Sequence, residues 1–139
     1  YDIKKKQSFY VFNTHLDHVG EIARTRGLEL IVRKIEAINQ KKLSVFLIGD
    51  FHTTPETERI KWLNTMMDNT KTISQTPSYG PSGTFNGFKH HESVTLQIDY
   101  IYLSKASKFK ILKHAVLSDS KDLRYPSDHL PVMVFFKYE

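Results

Sequence analysis

No cysteine occurs in the 139-residue chain, which excludes both a disulfide framework and a thiolate metal centre. Any metal it holds must sit on oxygen or imidazole. Long hydrophobic runs are also missing: none approaches the ~18 residues of a membrane span, and the opening YDIKKKQSFY has no apolar core of the kind that secretory signals carry. No membrane span is expected. There is no excess of acid either, for the formal net charge is +5 and the isoelectric point about 9.3. That balance favours an anionic partner, nucleic acid or a phosphorylated small molecule, although the lysines are scattered and form no basic tail.

What is present suits one folded domain over residues 1–139. Hydrophobic residues make up 40% and aromatic ones 12%, enough to build a core at a length where single domains cluster. SFYVF at 8–12 reads as a buried strand that runs into the polar NTHLDH. From Glu21 to Gln40 the apolar positions Leu28, Ile31, Ile35 and Ile38 recur at helical spacing, with Arg24 on another face. SVFLI at 44–48 is a second buried strand, and Thr53-Thr54-Pro55-Glu56 after it has the chemistry of a helix start, with Ile60, Leu63 and Met67 turned inward. The stretch 74–91 is rich in Ser, Thr, Pro, Gly and Asn and reads as a long loop. Strands are expected over 94–104 and from Phe109, and the last, Val132 to Phe136, is apolar on both faces and so expected to be central.

Polar residues collect where these strands end. NTHLDH, GDFH, QIDY and SDH place His15, Asp50, Asp99, Asp128 and His129 next to strands, and on one sheet they would share a rim, where layered α/β proteins commonly bind ligands. Such residues suit metal-assisted hydrolysis of a phosphate ester. Carboxylates hold a divalent cation that offsets transition-state charge, and a histidine oriented by a carboxylate is a competent general base. Asp99 is the natural orienter of His129. Taken singly, Asp50 reads as a turn cap, His15 and His129 as loop histidines, and the glycines of GTFNGF as turn chemistry. Asp99 resists such a reading, because a charge in an apolar strand costs several kcal/mol unless it is paired.

In order, NTHLDH, GDFH, GTFNGF, QIDYIYLS and YPSDHLPV resemble the second half of the endonuclease/exonuclease/phosphatase superfamily, and look most like its bacterial deadenylase-like branch. The resemblance implies half of a four-layer α/β/β/α sandwich, a mostly antiparallel sheet with helices on one face. It implies catalytic roles for His15, Asp50, Asp99 and His129, substrate contacts from Asn13, His52 and Asn86, and Asp128 as a metal ligand or its support. The implied cofactor is Mg²⁺ or Mn²⁺, and the implied substrate a phosphate ester, nucleic acid included. Two departures stand out. The family pattern Gly-Asp-Phe-Asn is here Gly-Asp-Phe-His, so His52 replaces an amide that donates to the phosphate, and losing such a donor typically costs ~10²–10³ in rate. The first half, with the glutamate that is the family's principal metal ligand, has no counterpart in these residues. Without that half, a sheet face carrying Phe9, Phe12 and Phe135 would lie open, which predicts a homodimer or an N-terminal half that covers it. The alternative to a phosphoesterase is a catalytically silent half-domain for assembly or nucleic-acid binding.

Overall fold

Parallel pairing is rare in this chain and falls where the first two strands meet. The computed structural model describes residues 1–138 and runs β1 (Tyr10–His15), α1 (Glu21–Ile38), β2 (Val45–Asp50), α2 (Glu58–Met66), β3 (Met67–Asn69), α3 (Thr70–Ile73), β4 (Asp99–Ser104), β5 (Phe109–Val116) and β6 (Val132–Tyr138). The main sheet has the order β1-β2-β4-β3, and β5-β6 form a separate pair. β1 and β2 are parallel; the other ladders are antiparallel.

Alternation along the strands divides the core in two. Val45 and Leu47 of β2 and Tyr100 and Tyr102 of β4 join Leu28, Val32 and Ile35 of α1 and Ile60 and Leu63 of α2 in one buried cluster, so both helices cover one face of the sheet. The opposite alternation, Phe46 and Leu103, packs with Phe109 and Ile111 of β5. The β5-β6 pair therefore lies over part of the second face. Phe9 is half-buried there, edge-on to Phe46 and Phe109, and Phe12 packs into the helix-side cluster. Of the three phenylalanines expected on an open face, only Phe135 is exposed, at 53%, and Val11 matches it at 53%.

Several boundaries differ from expectation. β1 and β2 continue through His15 and Asp50, so these residues belong to strand ends rather than to loops. On α1, Val32 takes a core position, Ile38 is exposed and Arg24 is buried, its Nη1 donating to the Asp17 carbonyl at 3.0 Å. α2 begins at Glu58, after Thr57. Residues 94–98 are not part of β4, because the loop before them takes their carbonyls: Gly83 N donates to Val94 O, and Thr84 N and Phe85 N to Leu96 O. β6 pairs only with β5 and is a margin rather than a centre, since an apolar run does not distinguish a strand covered twice from one whose outer face lacks cover.

Candidate active site

The strand register places three of the expected residues side by side. His15 of β1 is opposite Asp50 of β2, and Asp50 is opposite Asp99 of β4, so the ends of three adjacent strands form one row. Gly49 makes this possible. At φ 134°, a Cβ there would meet the Thr14 carbonyl oxygen at 1.8 Å, so only glycine lets β2 approach β1 so closely. His129 arrives from the loop before β6, which is fixed by Leu130 N donating to Thr84 O at 2.7 Å.

Asp50 is the centre. Its Oδ1 accepts from His52 N at 2.8 Å, while Oδ2 faces three imidazoles: Nε2 of His52 at 3.1 Å, of His15 at 3.8 Å and of His129 at 3.8 Å. To turn its ring inward, His52 adopts φ 46°, a left-handed conformation uncommon for a residue with a side chain. On the far side of His129, Nδ1 lies 2.8 Å from Asp99 Oδ2. That oxygen also accepts from the Thr84 hydroxyl at 2.6 Å, whose own oxygen accepts from the backbone N–H groups of Ile98 and Asp99 at 3.1 Å each.

The imidazoles are tuned in opposite directions. Burial pushes the His52 pKa down, and the neighbouring histidines His15, His18 and His129 push the same way, outweighing the attraction of Asp50. For His129, burial also pushes down, but the hydrogen bond and charge of Asp99, with Asp50 and Asp128 behind it, prevail and hold the pKa above the ordinary value. The two rings are thus shifted apart, an asymmetry that acid–base sites use.

A carboxylate-oriented histidine at the shared edge of three strands invites comparison with solved structures. The chain matches a conserved protein of unknown function from Enterococcus faecalis V583 (30% identity, TM-score 0.81) over 93% of this chain and 50% of the other. It matches a mannosyl-6-phosphatase from Bacteroides thetaiotaomicron (28%, 0.80) over 92% and 51%. A third match is an endonuclease/exonuclease/phosphatase family protein from the same organism (27%, 0.84), over 93% and 48%. The chain resembles the C-terminal half of an endonuclease/exonuclease/phosphatase family protein. It spans about half the length of these structures, with a mixed, mostly antiparallel architecture that matches theirs. No family model matches the chain, and no curated protein does.

The remaining expected residues sit around this row. Asn86 is buried and ties two loops together: Nδ2 donates to the Ser127 carbonyl at 3.0 Å and Oδ1 accepts from Phe88 N at 2.6 Å, which leaves one amide N–H of Nδ2 uncommitted. Among the described residues two groups of side chains could share an ion, His15–Asp50–His52 and Asp50–Asp99–His129; Asp128 is in neither, though its charge acts on His129, and its carbonyl accepts from Asn86 N and Gly87 N at 2.8 and 3.2 Å. Asn13 is exposed on β1, two residues before His15 and on the same strand face. Thr84 went unnoticed in the sequence. Its only trace there is Gly83, where a Cβ would come within 2.4 Å of the Thr95 and Leu96 backbone, the close approach that delivers the hydroxyl to Asp99.

The donor sets can hold a divalent cation, but they do not fit Mg²⁺. Mg²⁺ requires near-octahedral oxygen coordination, whereas the first group offers one carboxylate and two imidazoles, and in the second Asp99 Oδ2 is already engaged by Thr84 and His129.

Proposed function

We propose that this chain is the C-terminal part of a phosphoesterase, cleaving a phosphomonoester or phosphodiester by in-line attack of water. The observation that carries this reading is the His129–Asp99 pair at 2.8 Å, aimed at the same carboxylate oxygen as His15 and His52. An ionised carboxylate only accepts hydrogen bonds, so Nδ1 donates to Asp99, and Nε2 of the neutral ring is left with the lone pair that a base needs. His129 takes the proton of the attacking water, and Asp99 stabilises the imidazolium that results. His15 contacts the phosphate, with Asn13 and His52 beside it. Asp50 holds them all in place and faces the reacting oxygens. The phosphorus–oxygen ester bond breaks as the new one forms; the leaving oxygen takes a proton from solvent, and the His129 imidazolium returns its own to solvent. A divalent cation, when bound, would offset charge on the phosphate oxygens; of Mg²⁺ and Mn²⁺, the second accepts imidazole more readily.

Support comes also from the likeness to a phosphatase and to an endonuclease/exonuclease/phosphatase family protein. The test is turnover of a phosphomonoester and a phosphodiester in Mn²⁺ or Mg²⁺, beside His129→Ala. Loss of a general base typically lowers the rate ~10²–10⁴-fold. A variant as active as the parent would refute the assignment. Exposed Val11 and Phe135 support a partner sheet over the uncovered face, supplied by a second copy or by the other half of the fold.

A further inference from the structure

Three imidazole nitrogens surround Asp50 Oδ2, and in the neutral rings two of them turn lone pairs toward it. His15 Nδ1 lies 3.1 Å from the Leu16 carbonyl oxygen. A carbonyl only accepts, so Nδ1 carries the proton and Nε2 of the neutral ring turns a lone pair toward Asp50. His129 is oriented the same way by Asp99. His52 Nε2 is buried and makes no hydrogen bond, although it is 3.1 Å from Oδ2. Lone pairs directed at an anionic oxygen repel it, and a cation between them removes the conflict.

The spacing suits one kind of cation. Ligands of a tetrahedral Zn²⁺ ion, bonded at ~2.0–2.1 Å, lie roughly 3.3 Å apart. Oδ2 of Asp50 is 3.1 Å from His52 Nε2 and 3.8 Å from His15 Nε2, and the ligand atoms of the three residues all fall within 4.8 Å of one another. The His15 side chain, 71% exposed, can close the remaining gap by turning. The contact of Nδ1 with a backbone carbonyl is the outer support that metal-bound histidines usually have. An asparagine at 52 would offer no nitrogen lone pair.

We propose that His15 Nε2, His52 Nε2 and Asp50 Oδ2 form a site for a borderline transition-metal dication, Zn²⁺ foremost, in preference to Mg²⁺. Imidazole-rich sets select such ions, whereas Mg²⁺ prefers oxygen. The fourth position stays open beside His129. This identifies the cation of the phosphoesterase site, and its place in the reaction rests on that reading; the binding is measured without substrate.

The experiment is calorimetric titration of the chelator-treated full chain with Zn²⁺ and with Mg²⁺, together with the visible spectrum of the Co²⁺ form. One equivalent of Zn²⁺ is expected to bind and to resist an excess of Mg²⁺, and Co²⁺ should show the intense absorption of a four-coordinate centre. His52→Asn and His15→Ala should each weaken Zn²⁺ at least as much as the ~10–100-fold lost when an outer-shell partner is removed, while His91→Ala, at an 83% exposed side chain, should not. His15 is exposed enough that its variant keeps the fold. No Zn²⁺ binding, binding unchanged in both variants, or displacement by Mg²⁺ would each overturn the site. The two readings fail separately: turnover in Mg²⁺ without a Zn²⁺ site retires this inference alone, and a Zn²⁺ site without turnover in any metal retires the phosphoesterase alone.

Discussion

Among the described residues, the Asp99 carboxylate hydrogen-bonds only His129 and Thr84, so its influence on the reaction runs through that imidazole. If His129 is the base, activity rises with pH as the ring loses its proton. Because the ring's pKa lies above the ordinary imidazole value, that rise falls at a higher pH than an isolated histidine would give. Asp99→Asn removes the charge that holds the proton on. The rising limb should therefore move to lower pH, while the plateau drops because the imidazolium is no longer stabilised. A profile of log kcat/KM against pH checks both changes at once. A limb that stays in place would separate His129 from the titration. A residue that only held the loop would lower the plateau without moving the limb.

Among the elements, β2 carries the most constraint, since it is flanked by β1 and β4 and ends at Asp50. Gly49→Ala adds a methyl into the Thr14 carbonyl at a φ that L-residues avoid, and should destabilise the fold by more than ~1 kcal/mol, read as a lower midpoint in urea. β5 carries a different burden. Its His114 is buried, and burial with the nearby Lys71 charge pushes the pKa down to about 4 from 6.5, while Nδ1 meets the Ser78 hydroxyl at 2.9 Å. Between those two values the unfolded chain binds a proton that the folded one refuses, so stability is full above about pH 6.5 and falls as the pH drops toward 4. The loss should approach roughly 3 kcal/mol at the acid end, and His114→Gln should flatten it. Unfolding by urea at a series of pH values gives the slope.

The same elements explain what could be read in the chain and what could not. Strands and helices were legible because alternation and helical spacing are local, as Val45 to Ile48 and Leu28 to Ile35 illustrate. His15, Asp50, Asp99 and His129 were legible because each sits in a short motif at a strand end. The register that aligns the first three, and the Thr84 hydroxyl that holds Asp99, depend on residues 15 to 49 positions apart in sequence, and no local pattern encodes them. The loop-tying bonds of Asn86 were hidden for a related reason, since its partner Ser127 lies far along the chain.

On the scale of the whole molecule, the helices close one face of the sheet and the β5-β6 pair closes only part of the other. Val11 and Phe135, each 53% exposed, belong to neither cluster, and burying the exposed half of such a side chain yields on the order of 1 kcal/mol. A second sheet laid over this side would gain that from several residues at once, the same physics that makes sheet-on-sheet packing a core. The chain on its own is therefore expected to sediment as a dimer at micromolar concentration, and Phe135→Lys to return it to the mass of one chain without changing its circular dichroism. A parent that sediments as one chain at every concentration would contradict self-association. The covering sheet would then have to be a different one, and adding the other half of the fold, rather than raising concentration, should slow backbone amide exchange in β1 and β6.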